Sequence, residues 1–172
     1  AALARLRETG RLDRIETIAE ALQGELGEKA RGIVATFAVS IDEQNAEAQD
    51  LLRLAAECAP NEPIPLALLQ GASSDANSDE FDAALRALLR ASLLTRRRDG
   101  DGPGQPVEIH PLLADVTRRI VAPDDEAPGA SIAAALIELL AEARDVRLRD
   151  ALAPLLPHAR HGAFAQESEQ AV

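Results

Sequence analysis

Residues 92–121 read SLLTRRRDGDGPGQPVEIHPLLADVTRRIV, and this stretch decides the fold of the chain. It opens with Ser92–Arg97, a run that predicts a short strand. A cluster of Asp, Gly and Pro over 99–104 predicts a turn. The alternating run Pro106–His110 predicts the returning strand, and Pro111 suits the first turn of a helix. The stretch therefore predicts a two-stranded ribbon followed by a helix.

Three helices are predicted before this ribbon. The first covers residues 46–58, and Pro60 and Pro63 end it. Its inward-facing side chains are expected to be Leu51, Leu52, Leu54, Ala55 and Cys58. The second is a short helix from Leu66 to Gln70, with Gly71 as its C-terminal cap. The third begins at a capping box, Asn77 with Glu80, and has apolar side chains at helical spacing, namely Phe81, Ala84, Leu85, Leu88 and Leu89.

Helical segments are predicted on both sides of this unit. Ser40 with Glu43 has the form of a capping box, which predicts a helix start there. A Pro- and Asp-rich linker over 122–129 precedes two helices, Ser131–Ala143 and about 148–163. Their apolar faces are expected to consist of Leu136, Ile137, Leu140, Leu148, Leu152, Leu155 and Leu156.

The sequence thus predicts a mainly α protein in three parts. Residues 1–40 are a helical segment, residues 41–122 a winged-helix domain with a small two-stranded β-ribbon, and residues 123–172 a helical extension. Three helices followed by a hairpin is the winged-helix order.

The composition argues against several classes of function. Hydrophobic residues make up 47% of the chain and aromatic residues 2%, so we expect a core of aliphatic side chains. The formal net charge is -11, which is opposite to the basic footprint that nucleic-acid binding requires. Cys58 is the only cysteine, which excludes an intrachain disulfide and fits a reducing cytoplasm. No apolar run approaches the length of a membrane span, and no signal peptide is visible.

The chain resembles the winged-helix region of NB-ARC-type, or STAND, signal-transducing ATPases over residues 33–121. The runs that carry the resemblance are Ala35–Ile41, Ala48–Ala56, Ile64–Leu66, Ala91–Leu94, and Ile109–Leu113 with Arg118 and Arg119. Leu155–Ala159 resembles the first tetratricopeptide-like helices that often follow in such proteins.

The resemblance implies a regulatory, non-catalytic role. In this family ADP holds a closed form, ATP exchange opens it, and a histidine of the winged helix contacts the ADP phosphates. That histidine is His110 here, with Ile109 in place of the family's Met and Pro111 in place of its Asp. We expect no cofactor in the chain itself, but ADP or ATP with magnesium in a longer parent protein, because no G-x-x-x-x-G-K-[ST] motif is present. The implied partners are an upstream nucleotide-binding domain and a downstream repeat sensor.

The chemistry of His110 supports a phosphate contact independently. A helix N-terminus favours anions, and a neutral imidazole just before it can donate one N–H to an oxyanion. The alternative is that His110 ends a strand and caps the helix.

Single features of the sequence bear on three other functions. A DNA-binding winged helix could use Arg96, Arg97 and Arg98 for phosphate contacts. However, the predicted recognition helix over 78–90 has more acidic than basic side chains, which would repel the DNA backbone. These are Asp79, Glu80 and Asp82 against Arg86 and Arg90. His158 and His161 with one cysteine make a poor metal site and are interpreted as structural. No arrangement predicts a catalytic nucleophile.

The alternatives to the nucleotide switch are a DNA-binding transcription regulator and a helical interaction scaffold capable of self-association. The Ala, Leu and Arg usage suggests a bacterial source, and the abrupt start suggests a piece of a longer chain.

Overall fold

A computed structural model describes residues 30–73, 77–97, 105–121, 127–141 and 152–162. The elements in chain order are α1 Ala30–Asp42, α2 Ala46–Ala56, α3 Leu66–Ala72, α4 Ser78–Arg90, β1 Thr95–Arg96, β2 Val107–Glu108, α5 Pro111–Val121 and α6 Ala127–Ala141. Residues 152–162 form a C-terminal helical segment in which Ala153–Leu155 is a 3-10 turn. The described part of the chain is therefore mainly α with one small antiparallel ribbon, as the sequence predicts.

Local capping signals explain where two of the helices begin. The side chain of Asn77 accepts hydrogen bonds from the N–H groups of Asp79 and Glu80, and Glu80 reaches back to the Asn77 N–H. This is the predicted capping box of α4. The capping box predicted at Ser40 is wrong, because α1 continues through Ser40 to Asp42. The next helix starts instead after Asn45, whose side chain accepts from the Ala48 N–H at 3.0 Å.

The ribbon is shorter than the sequence predicts. Its register pairs Thr95 with Glu108 and Arg96 with Val107. Ser92 does not belong to a strand: its φ of 57° lies in the left-handed region, and the next N–H, that of Leu93, donates back to the Leu88 carbonyl at 3.0 Å. This pattern is a helix C-terminal cap of the kind usually made by glycine. Residues 92–94 therefore belong to the cap that follows α4, and the strand begins only at Thr95.

A third stretch of backbone, which the sequence does not predict, joins the ribbon. Ile64, in the loop between α2 and α3, forms an antiparallel bridge with Val107. The Ile64 N–H donates to the Val107 carbonyl at 2.7 Å, and the Val107 N–H donates to the Ile64 carbonyl at 3.0 Å. Val107 therefore lies between Ile64 on one side and Arg96 on the other.

Helix α2 lies at the centre of the core. It contacts α3, α4, α5 and α6, and α1 contacts α5. All five side chains predicted to face inward from the first helix are buried, including Cys58 at 1% exposure. Of the five predicted on α4, Leu89 is half-buried and the other four are buried. Aliphatic side chains from all six helices complete this core.

Two boundaries near α6 differ from the prediction. Gly71 is not a cap but lies inside α3, where a Cβ on it would lie 3.4 Å from the Cβ of Ala135. A Cβ there would be in van der Waals contact with α6, so α3 and α6 pack closely at this position. Helix α6 begins at Ala127 rather than Ser131, because Pro128 suits a first helical turn.

The predicted apolar faces of the last two helices are partly wrong. Ile137 is 71% exposed and Leu156 47% exposed, whereas Leu136 and Leu155 are buried. Residues 1–29 of the predicted N-terminal helical segment, the predicted turn over 99–104 and Leu148 lie outside the described residues. No helix of the described residues combines the length and the apolar character that a membrane span needs.

Candidate functional site at the start of helix α5

His110 lies between β2 and α5, at the position predicted from the sequence. Its carbonyl accepts the N–H of Ala114 at 2.9 Å, which is the first hydrogen bond of α5. Its ring Nδ1 accepts the N–H of Leu112 at 3.2 Å. His110 is therefore the N-terminal cap of α5, with an imidazole in place of the more usual hydroxyl, amide or carboxylate.

The cap fixes which nitrogen of the neutral ring carries the hydrogen. Because Nδ1 accepts a hydrogen bond, the hydrogen of the neutral imidazole must lie on Nε2. The His110 side chain is exposed, and among the described residues no group hydrogen-bonds to Nε2. The neutral ring thus presents one outward N–H donor beside the N-terminus of a helix, which is a favourable place for an anion.

Buried neighbours on both sides hold His110 in place. Ile109 is 4% exposed, and Leu113, one turn into α5, is 2% exposed. Since Ile109 and Leu113 point into the core, the residue between β2 and the helix must turn outward. The exposure of His110 therefore follows from the alternation that ends β2 and from the apolar stripe that begins α5.

The two arginines near the end of α5 have different contacts. Arg118 donates from Nη1 to the carbonyl of Ala56 at the end of α2. Arg119 is nearly half exposed and pairs with Asp115, one turn earlier, at 3.0 Å. Arg118 therefore satisfies a helix-end carbonyl and joins α5 to α2, while Arg119 makes an ordinary surface pair.

The predicted basic wing is only partly visible in the described residues. Arg96 is exposed, whereas Arg97 forms an ion pair with Glu108 across the ribbon, at 3.1 Å between Nη1 and Oε1. Arg98 lies outside the described residues. One of the three arginines therefore has its charge offset by a carboxylate on the opposite strand.

The two C-terminal histidines do not form a metal site in the described residues. The structure finds no group of three or more His, Cys, Asp or Glu side chains there that would hold an ion. His158 is buried at 1% exposure, and both of its ring nitrogens contact backbone groups of the α2–α3 loop, residues 57–65. Both nitrogens of His158 thus have partners within the protein. Its long-range partners could not be read from spacing, because they lie 95 and 99 positions away.

A groove of about 430 Å³, which the sequence does not predict, lies between α2, the end of α3, α4 and the start of α6. Buried side chains such as Leu54 and Phe81 line it, and Glu47, Asp50 and Glu80 give it an acidic rim. The Arg53 guanidinium is 3.3 Å from the Asp50 carboxylate at this rim. No sequence motif marks the groove, because its lining comes from four separate helices.

Comparison with known proteins adds no relative: no family model matches the chain, and no curated protein is significantly similar to it.

Proposed function

We propose that the chain is a regulatory, non-catalytic part of a cytoplasmic nucleotide-switched signalling ATPase. Residues 41–122 act as its winged helix. They couple the ADP or ATP state of an upstream nucleotide-binding domain to a C-terminal sensor array. His110 contacts the phosphates of bound ADP in the longer protein.

The observation that carries this proposal is the hydrogen bonding of His110. Its Nδ1 is used by the Leu112 N–H at 3.2 Å, so its Nε2–H is the donor left for an external acceptor. The ring is exposed and stands at the N-terminus of α5, where partial positive charge favours an oxyanion. Pro111 removes no hydrogen bond at this position, because a first-turn N–H has no partner within the helix.

The order of elements also supports the winged-helix interpretation. Helices α2, α3 and α4 are followed by the β1–β2 ribbon and then by α5. The bridge from Ile64 to Val107 fixes the ribbon against the loop between α2 and α3. The backbone just before His110 is therefore held by hydrogen bonds on both sides of Val107.

The charges on α4 disfavour the DNA-binding alternative. The exposed side chains of this helix include Asp79, Glu80 and Asp82 but only two cations, Arg86 and Arg90. Three carboxylates against two guanidiniums would not provide the positive footprint that phosphate contacts need. An acidic surface is compatible with docking onto another protein domain.

The experiment is isothermal titration of ADP and ATP, each with magnesium. One cell contains this chain and another contains the same region extended upstream through the predicted nucleotide-binding domain. Two variants of the extended protein are compared, His110→Ala and His110→Asn. Asparagine retains an acceptor for the Leu112 N–H but lacks the outward ring N–H, so it separates capping from phosphate binding.

We expect this chain to bind neither nucleotide and the extended protein to bind ADP. Both variants should bind ADP roughly 10- to 100-fold more weakly, since a hydrogen bond to a charged group is lost. If the extended protein ignores nucleotides, the family assignment is wrong, and the domain should be tested on DNA and as a self-associating scaffold. If His110→Asn binds ADP as wild type does, His110 is only a helix cap.

A further inference from the structure

His158 joins the C-terminal helical segment to the α2–α3 loop through both ring nitrogens. Its Nδ1 accepts the N–H of Ala59 at 3.1 Å, and its Nε2 lies 3.1 Å from the carbonyl of Pro63. Because a carbonyl can only accept, Nε2 must carry the hydrogen of the neutral ring. The neutral imidazole is therefore fully used: one nitrogen donates and the other accepts.

A second proton has only one place to bind. It must add to Nδ1, and this nitrogen already faces the N–H of Ala59. Protonation would replace an acceptor with a donor, so that two N–H groups would point at each other. The ring is 1% exposed, and water therefore cannot reach this position without movement of the segment.

The groups around His158 come from three elements and act in opposite directions. Burial is the largest cause and lowers the pKa of His158, and His161, one turn further, lowers it too. The Pro63 carbonyl and the Glu62 carboxylate, both in the α2–α3 loop, raise it. The pKa of His161 is itself lowered, first by burial and then by Arg118 of α5.

Few other contacts hold this segment. Among its described side chains, Leu155 is the one buried large apolar residue, at 4% exposure. Leu152 and Ala159 are partly buried against the core, and Leu156 is 47% exposed. The hydrogen bonds of His158 are therefore a large part of what fixes the segment to the loop.

We propose that His158 is a proton-released latch, which holds the C-terminal helical segment on the α2–α3 loop when neutral and frees it when protonated. The latched loop continues directly into Ile64, which pairs with Val107. Release of the segment thus removes a support next to the sheet edge. The latch does not depend on nucleotide binding, and it applies to this chain whether or not the proposed function holds.

The test is nuclear magnetic resonance of the 172-residue chain between pH 8 and pH 4.5. Ring nitrogen shifts of His158 report its protonation, and amide protection factors, corrected for intrinsic exchange, report opening. We expect a neutral Nε2–H ring at pH 8, and a midpoint below the ordinary 6.5. Protection of the Ala59 amide and of the segment should fall about tenfold or more with the same midpoint, since a buried donor loses its acceptor. Protection within α4 should not change.

Two variants sharpen the result. In His161→Gln the transition should persist, because the neighbouring histidine is not the latch. In His158→Phe the segment should be poorly protected at every pH, with no transition. The wild-type and His161→Gln titrations decide the matter even if His158→Phe fails to fold. Constant protection of Ala59 through the His158 titration, or loss of the transition in His161→Gln, would overturn the latch.

Discussion

Ile64 and Val107 exchange both of their backbone hydrogen bonds, with N···O distances of 2.7 Å and 3.0 Å. Both side chains are 0% exposed, so this single bridge also lies in the core. It joins the loop before α3 to the strand that leads to His110. The position of the candidate site therefore depends on a contact between two distant parts of the sequence.

Replacing Ile64 by alanine should destabilise the protein strongly. We expect Ile64→Ala to lower the free energy of unfolding by about 2–5 kcal/mol, since it leaves a cavity beside Val107. The matched control is Ile137→Ala, the same change at a side chain that is 71% exposed, which should stay within about 0.5 kcal/mol. Urea unfolding followed by circular dichroism measures both. Equal effects would contradict the burial of Ile64.

Ser92→Gly should stabilise the chain. Ser92 has φ 57°, a conformation that costs a residue with a Cβ but not glycine. We expect the free energy of unfolding to rise by about 0.5 kcal/mol. This is a net value, because glycine relieves the left-handed conformation but also has greater freedom in the unfolded chain. In contrast, Ala91→Gly should destabilise, because Ala91 has φ -76° and gains nothing. Both are measured by thermal unfolding, and a loss of stability in Ser92→Gly would contradict the described helix end.

The capping role of His110 can be tested in the absence of any ligand. His110→Ala should cost about 0.5–2 kcal/mol of folding free energy, because the Leu112 N–H loses its acceptor. His110→Asn should recover most of this loss, since asparagine is a good N-cap residue. Chemical denaturation of the chain without nucleotide measures both. If the alanine and asparagine variants are equally destabilised, the ring does not act as a cap.

Ionisation of Glu57 should lower the stability of the folded protein as the pH rises. Burial raises the pKa of its carboxyl from the ordinary 4.5, and this outweighs Arg118 and Arg53, which lower it. The folded chain therefore binds this proton more tightly than the unfolded chain. The stability that the protonated carboxyl contributes is complete below pH 4.5 and is lost as pH rises through the raised pKa.

The test compares wild type with Glu57→Gln, whose side chain stays neutral. Between pH 4 and pH 7, the free energy of unfolding of Glu57→Gln should rise relative to that of wild type, because wild-type Glu57 ionises in a half-buried position. The values at pH 4 serve as the internal control, because both side chains are then largely neutral. If wild type instead gains stability relative to Glu57→Gln over this range, the two arginines outweigh burial in setting the pKa of Glu57.

Cys58 should be inert in the folded protein. Burial, together with the charge of Glu57, raises the pKa of its thiol to about 12, so about one part in ten thousand is thiolate at pH 8. The thiol is 1% exposed and directs its hydrogen to the Leu54 carbonyl. A disulfide reagent should therefore modify Cys58 only as fast as the chain opens, and quickly in urea. Rapid modification without denaturant would contradict this.

Local signals predicted those features of the fold that depend on a few adjacent residues. The capping box of Asn77 with Glu80 and the helix start at Pro111 are both confirmed. The capping pattern at Ser40 failed because the apolar stripe of α1 continues to the buried Ile41, and packing outweighs a cap signal. The exposure of Ile137 could not be predicted, since α6 is apolar on most of its surface and its sequence does not indicate which face turns inward.

The candidate site was predicted in part. The helix start placed His110 correctly, but the tautomer of its ring depends on the hydrogen bond to the Leu112 N–H, which spacing alone does not give. Ile64 was missed as a strand residue because one paired residue between two prolines has no periodicity. The contacts of His158 were missed for a similar reason, since they reach backbone groups of a loop far away in the sequence.

The bridge at Ile64 has a consequence for aggregation. The N–H of Ile64 points towards Val107, and the residues on either side, Pro63 and Pro65, have no N–H to offer on the opposite side. An open sheet edge normally recruits strands from other molecules through such donors. The edge at Ile64 lacks them because of these two prolines, so this edge of the sheet is protected against the addition of further chains.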